Sequence, residues 1–566
     1  MSIRNTTQPS LIAIEYLKTR SLTFDRPIIA IFLFSLVIRG ACAFWFSGMI
    51  DKEGAEYARI AQNLLAGVGY VGLATPGEQL WFPPLFPFLI SAVALLTGDA
   101  EIAGRIVSIA FGSLVVVPVY LIARRMYGKR VALGAAALVG VHPFLVEYST
   151  TVNCESTYLA IILVAVYMAM RAIGNPTAKP LFIMGSCYGL AYLVRTEALP
   201  YLLVACGLLA LRVKLKGAQY PASLVHQLPI IMLGFFLFAG PYIVWLSVQA
   251  GQFRVEAKTA FNLPTELRMH HGMTGYEAQL RVYPDLSKGG IAWQSSVDAI
   301  KSYSVNIGEL SSLLASRAKT VAKDASAVIG GSFALGSPAL FGLAILGLFS
   351  RPWPRRIAVD QAHFAILLAL VPFGMLFTHN EDIRLYIVVV PVLCLWAAYG
   401  VILFARWARR SAEMIGMHQA FRAKIPTSAR VLAVSAILLP SASVAIGQLD
   451  ANRFERPFKQ ALFNLAASDP APLRIASNAG FPAFEAHAQH VWLPYCDGQT
   501  ARRFLAKERV THVVLGDWYV STPYEEKWKD DGVPNARKIV DITSKVGTRL
   551  KIYELDNSSY DGVTEH

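Results

Sequence analysis

Up to about residue 448 the chain alternates long apolar runs with short polar stretches; beyond that point it turns polar, with only short apolar segments. A helix that crosses a bilayer needs roughly 20 mostly apolar residues. Pro27–Met49, Ile102–Leu121, Val131–Tyr148, Tyr158–Met170, His226–Val248, Phe333–Phe349, His363–Phe377, Leu385–Phe404 and Val431–Ile446 meet or approach that length, with ends that can extend into polar flanks. Two regions fit less simply. Pro83–Leu96 is apolar but short and opens on Pro-Pro. Pro180–Leu211 is too long for one span and is interrupted by Arg195, Thr196 and Glu197.

The basic residues choose between topologies, because Lys and Arg collect in short cytoplasmic loops. They cluster at Lys18/Arg20/Arg26, Arg124/Arg125/Lys129/Arg130, Arg212/Lys214/Lys216, Arg351/Arg355/Arg356 and from Arg406/Arg409/Arg410 to Arg430. All of these share one side only if Pro83–Leu96 does not cross and Pro180–Leu211 crosses twice as a tight hairpin. The pattern therefore predicts an α-helical polytopic membrane protein of eleven spans. Residues 1–26 would be cytoplasmic and 27–448 the transmembrane domain. Outer loops would lie at about 51–101 and 250–330, and 449–566 would form an outer domain. Pro27–Met49 lacks a small-residue cleavage site and reads as a retained span. Tyr57, Ile60, Ala61 and Leu64 share helical spacing, which predicts a surface-lying helix around Ala55–Leu65, with a second interfacial helix at Pro83–Leu96.

Composition agrees with this class. Of 566 residues, 54% are hydrophobic and 16% charged, against about 25% charged in an ordinary globular domain. The net charge of +14 sits largely in the cytoplasmic loops, where it meets anionic lipid. Membrane lipid is an expected partner and nucleic acid is not. The 6 cysteines show no metal-binding spacing and read as small buried side chains. The tail reads as a small α/β domain. Its candidate strands are Arg474–Ser477, His490–Leu493, His512–Leu515 and Leu550–Tyr553, with a helix at Gln499–Lys507.

Candidate chemistry gathers at the outer ends of the spans. Asp51, Glu53 and Glu56 follow the first span; alone they also fit a helix-initiating acidic turn. Glu155 opens the fourth span after His142-Pro143 and Tyr148. Arg195 and Glu197 break the predicted hairpin, where they can pair with each other or line a recess. His379-Asn380-Glu381-Asp382-Ile383-Arg384-Leu385-Tyr386 opens the tenth span. A cation is unfavourable at a helix N-terminus, so Arg384 is expected to pair with Asp382 or to bind an anion. Arg39, inside the first span, is expected to pair or to snorkel. Ionisable residues at membrane depth are functional candidates by default. Carboxylates beside arginines suit a lipid-linked phosphate ester: a carboxylate takes a proton from an attacking hydroxyl, and an arginine stabilises the leaving phosphate.

The stretch Glu53-Gly-Ala-Glu-Tyr57-Ala-Arg-Ile-Ala-Gln-Asn-Leu-Leu-Ala-Gly67-Val-Gly69-Tyr70, then Pro83-Pro-Leu-Phe-Pro87 and Ala123-Arg-Arg-Met-Tyr-Gly128, resembles GT-C-fold glycosyltransferases of the family 39 type. These include protein O-mannosyltransferases, the lipid A aminoarabinose transferase and the rhizobial galacturonosyltransferases. Tyr192-Leu-Val-Arg195-Thr-Glu197 and Arg384-Leu-Tyr386 through Pro391 resemble further pieces of that pattern. The resemblance is strong over about 30–200, fair to 405 and weak in the tail.

It implies transfer of a sugar from a polyprenyl-phosphate donor to a glycan, glycolipid or protein acceptor outside a bacterial-type inner membrane. In the family an acid four positions before an aromatic residue carries the chemistry. That position is Glu53, before Tyr57, with Asp51 as competitor, and Glu155 matches a second family acid. The aminoarabinose transferase has a Glu-Lys pair before its Pro-rich segment, and this chain has Trp81-Phe82 there. Arg384 is therefore the expected phosphate ligand, with Arg195 second. Tyr57, Glu56, His142, Glu197 and Tyr386 are candidate substrate contacts. The expected reaction inverts the sugar and needs no nucleotide. No particular cofactor is implied, and a divalent metal is compatible with the carboxylates. A flippase for a lipid-linked sugar and a non-catalytic assembly protein remain the alternatives. Concentration of polar residues in outer loops, rather than at a bilayer midplane, favours the enzyme.

Overall fold

The computed structural model describes residues 26–73, 77–216, 224–258, 337–350, 358–366, 383–468, 472–494, 496–518, 524–545 and 547–556, with isolated positions elsewhere. His270, Tyr276 and the His379–Asp382 stretch lie outside the described residues.

Helices dominate. They run α1 (Arg26–Trp45), α2 (Lys52–Leu65), α3 (Leu85–Thr97), α4 (Ala100–Leu114), α5 (Val116–Tyr127), α6 (Lys129–Val141), α7 (Pro143–Thr150), α8 (Glu155–Gly174), α9 (Ala178–Tyr192), α10 (Ala198–Lys216) and α11 (Leu224–Ala250). Further along the chain come α12 (Pro338–Phe349), a 3-10 turn (Ile383–Val388), α13 (Val389–Met414), α14 (Gln419–Phe454) and α15 (Arg456–Ser468). Among the described residues, 6 helices are long and apolar enough to cross a membrane, or 7 if α6 and α7 form one bent span. That pair bends by 50° at His142, where Pro143 opens α7 and cannot donate to the preceding turn. The region of the expected hairpin forms two helices, α9 and α10, broken at 193–197.

Small residues let helices touch backbone to backbone. A Cβ on Gly185 of α9 would lie 2.0 Å from the Ile231 carbonyl oxygen of α11, and one on Gly234 of α11 would lie 2.3 Å from that of Phe182. Gly347 of α12 and Gly400 of α13 make the same reciprocal approach, each 2.0 Å from a facing carbonyl oxygen. Without a hydrophobic drive between helices in lipid, such close packing is a principal source of association.

One expectation is corrected. The apolar face of α2 does not lie on a membrane surface. Tyr57, Ile60 and Ala61 are buried against protein, because α3, α4 and the short α16 (Phe481–Glu485) of the tail cover them. Arg39 is corrected too. It neither snorkels nor meets a carboxylate among its described contacts. It is fully buried and donates to Ser149 Oγ at 2.8 Å and to the Gly140 carbonyl at 2.6 Å.

The tail carries β1 (Arg474–Ser477), β2 (Gln489–Trp492), β3 (His512–Gly516), β4 (Ala536–Thr543) and β5 (Arg549–Leu555) in the order β2-β1-β3-β5-β4. β1 runs parallel to β2 and β3, and β5 is antiparallel to β3 and β4. Helices α17 (Gly498–Lys507) and α18 (Glu525–Asp531) accompany the sheet. β4 is the strand that the sequence pattern does not announce. It is an edge strand without a buried residue, so it lacks an apolar face to read.

Overpacking a tight contact costs about 1–3 kcal/mol. Gly234→Ala is therefore expected to push α9 from α11 and lower the thermal midpoint of the purified protein by several degrees; an unchanged midpoint contradicts this packing.

Candidate active site

The chain leaves α1 and turns into α2 through Asp51. Asp51 caps α2 by accepting from the Gly54 amide at 2.5 Å, as short acidic side chains do at helix starts. Its other carboxylate oxygen accepts from Asn153 Nδ2 at 2.7 Å. Gly54 permits this meeting, since a Cβ there would stand 2.7 Å from the Val152 carbonyl oxygen. Ser108 of α4 holds the same loop by bonding to the backbone of Asn153. Two residues after Asn153, Glu155 begins α8 with its side chain fully buried. The starts of α2 and α8 thus stand side by side, and both helix dipoles favour carboxylates there.

Cations from three other elements close the site. Arg384, in the 3-10 turn before α13, donates to Glu53 Oε1 at 2.9 Å and lies 3.8 Å from Glu155 Oε1. Arg195, at the break between α9 and α10, donates to Glu155 Oε1 at 2.8 Å and to Glu197 Oε1 at 2.9 Å. Lys258, beyond α11, stands 4.0 Å from Glu53 Oε1 and over the Phe82 ring. With Lys52 beside Asp51, the formal charges of Asp51, Glu53, Glu155 and Glu197 balance those of Lys52, Arg195, Lys258 and Arg384.

The two leading acids differ in their surroundings. Burial pushes the Glu53 carboxyl up, but the Lys258 ammonium and the Arg384 guanidinium outweigh it and hold Glu53 well below the usual carboxylate range. Asp51 is solvent-exposed, but the protein around it still desolvates its carboxyl. That desolvation, with Glu53 nearby, pushes it up to about 6 despite its bond from Gly54. Asp51 therefore takes up a proton near neutral pH, and Glu53 stays ionised.

The remaining expected site residues divide. Glu197 joins the cluster through Arg195. Tyr386 is buried one residue past Leu385 in the same 3-10 turn as Arg384. Tyr57 lines the floor: its hydroxyl bonds to Cys154 Sγ at 3.2 Å, and its ring packs on Phe82 and Phe86. Glu56 points elsewhere. It accepts from the Leu73 amide at 2.7 Å and from Gln79 Nε2 at 2.8 Å, pinning the loop between α2 and α3. His142 is buried at the α6/α7 bend within reach of Arg39's charge, and no described contact joins it to Glu53 or Glu155. Sequence reasoning missed Asn153 and Lys258. Lys258 had one signal: it is a basic residue in a loop that the charge pattern predicts to be outside, against the positive-inside trend. Among the described residues no group of 3 or more His, Cys, Asp or Glu is arranged to hold a metal ion.

Comparisons with known proteins bear on the fold that holds this cluster. Residues 82–245 match the family model of dolichyl-phosphate-mannose-protein mannosyltransferases. ArnT from Cupriavidus metallidurans, in its structure bound to undecaprenyl phosphate, is similar with a TM-score of 0.55 at 12% identity, covering 94% of this chain and 98% of that one. Its apo structure gives 0.57 at the same identity and coverage. The apo oligosaccharyltransferase of Archaeoglobus fulgidus is similar with a TM-score of 0.51 at 15% identity, covering 94% of this chain and 75% of that one. No curated protein sequence matches significantly. With a mannosyltransferase-type segment and this architecture over nearly its whole length, the chain is a multi-pass membrane protein of the GT-C glycosyltransferase fold.

Proposed function

We propose that the protein transfers a sugar from a polyprenyl-phosphate donor to a hydroxyl of an envelope glycan, lipid or protein at the outer face of a bacterial-type inner membrane. The eleven-span topology with a cytoplasmic N-terminus belongs to this reading, since it puts the cluster on that face. One observation supports it: a partly buried cluster of opposite charges in which Arg384 bonds to Glu53 and lies beside Glu155, with Lys258 4.0 Å from Glu53. A phosphodiester entering the site competes with Glu53 for those cations. Arginine is well suited to the exchange, because its fork takes carboxylate or phosphate in the same geometry.

The exchange couples binding to chemistry. While Arg384 and Lys258 hold it, Glu53 is a poor base. Once the donor phosphate takes the cations, the Glu53 carboxylate is desolvated without its counter-charges, and its basicity rises. It then removes the acceptor hydroxyl proton as the oxygen attacks the anomeric carbon. The bond from that carbon to the phosphate oxygen breaks, and its electron pair leaves with the lipid phosphate. Attack opposite the phosphate inverts the sugar. Arg384 and Lys258 stabilise the charge on the leaving oxygen. Glu155, bonded to Arg195 and beside Arg384, aligns the two guanidinium groups. Asp51 shapes the rim and tunes the charge of the site.

Transfer of radiolabelled sugar from polyprenyl-phosphate donors in membranes tests the reading. Glu53→Gln is expected to lower kcat by about 10²–10⁴-fold while tightening donor binding, because phosphate no longer competes with a carboxylate. Full activity in both Glu53→Gln and Asp51→Asn, at normal protein levels, would remove the base from this pair.

The pH dependence of binding has a definite sign. Protonating Asp51 as pH falls through about 6 removes a negative charge beside an anion site. The dissociation constant of a lipid phosphodiester, which does not titrate in this range, is expected to fall on the order of fivefold between about pH 7.5 and 5.5. Asp51→Asn should bind tightly throughout and show no slope. A slope retained by that variant would assign the titration to another group.

A further inference from the structure

The connector that aims Asp51 and Glu53 leaves helical order after Trp45 and regains it only at Lys52. Its backbone is held from outside, largely by the C-terminal part of the chain. Arg456, at the start of α15, donates to the Trp45 carbonyl at 2.6 Å, to the Ser47 carbonyl and to Ser47 Oγ at 3.1 Å. A Cβ on Gly48 would meet the Asn452 carbonyl of α14. The Ile50 amide, one residue before Asp51, donates to Glu485 Oε1 of α16 at 2.9 Å. Glu485 is itself fixed. Its side chain is 5% exposed, and its second oxygen pairs with Lys459 of α15 at 3.2 Å. Lys459 continues to Glu101 of α4, and Glu101 to Arg105. On the far side of α16, Arg59 of α2 reaches back to the Ala488 carbonyl at 3.1 Å. The tail segment around α16 thus holds α2 just before its first turn, through Ile50, and about two turns in, through Arg59.

We propose that the C-terminal region is a working part of the active site, with Glu485 as a positioning residue that sets the aim of Asp51 and Glu53 through the Ile50 amide. The inference rests on the proposed transferase reading and assigns the tail a role in that same site. A charged acceptor on a backbone amide makes a strong, directional bond. A shift of the order of 1 Å in a reacting group costs about 100-fold in rate. Glu485 touches neither of the two carboxylates, so it acts only through the connector.

The test uses the full-length protein in nanodiscs with a polyprenyl-phosphate sugar donor, measuring kcat, donor KM and the thermal midpoint. Glu485→Ala is expected to lower kcat about 10- to 100-fold with donor KM changed less than about threefold. Glu485→Gln, which keeps an oxygen for the Ile50 amide, should recover most of that loss. Arg456→Met frees the same connector from α15 without leaving a buried charge unpaired, and should show the same split if Glu485→Ala does not fold. The inference is overturned if kcat stays within about twofold of wild type in the folded variants. It is also overturned if Glu485→Gln loses as much as Glu485→Ala, or if activity falls only in step with folded protein. Absence of transfer by the wild type would overturn the transferase reading and this inference together; wild-type transfer with an active Glu485→Ala would overturn this inference alone.

Discussion

The ion pair between Glu53 and Arg384 is the interaction on which the site depends. It joins the start of α2 to the turn before α13, more than three hundred residues away. Glu155 and Arg195 extend it to α8 and to the α9/α10 break. Charges this poorly solvated are tolerated only when matched, and removing one partner of a buried pair costs about 3–5 kcal/mol. The same constraint makes the cluster responsive. In the proposed exchange, the cluster would accept an anion by letting a carboxylate go, and the released carboxylate would then serve as the base.

The fold can be understood as the means of bringing these groups together. Gly54 allows α2 to approach the loop before α8, and Ser108 and Asn153 keep that loop in place. The reciprocal glycines of α9 and α11 fix the hairpin that presents Arg195, and those of α12 and α13 steady the helix that follows Arg384. The tail adds to the frame, because Arg456 and Glu485 bond to the backbone of the connector that leads into Asp51.

The sequence was legible where one physical rule acted alone. Apolar run length revealed the long helices of the described residues, and the interruption at Arg195–Glu197 revealed the α9/α10 break. Glu53, Glu155, Arg195 and Arg384 were each visible as charges at span ends. Their partnership was not, because pairing across such distances along the chain leaves no periodic trace. The surface reading of α2 went wrong for a related reason: an apolar face covered by protein has the same spacing as one covered by lipid, and only the placement of α3, α4 and α16 decides. Glu56 looked like its neighbours, yet loop closure at Leu73 and Gln79 claims both its oxygens. Strand β4 stayed hidden because an exposed edge strand buries no apolar stripe.

Competition between a carboxylate and a phosphate for one guanidinium has a direct structural signature. The measurement is a structure of the protein with a polyprenyl phosphate bound in the membrane. Phosphate oxygens are expected within about 3 Å of Arg384 and near Lys258, with the Glu53 carboxylate withdrawn from its present 2.9 Å contact with Arg384. A phosphate held elsewhere, with the Glu53–Arg384 pair intact, would contradict the exchange.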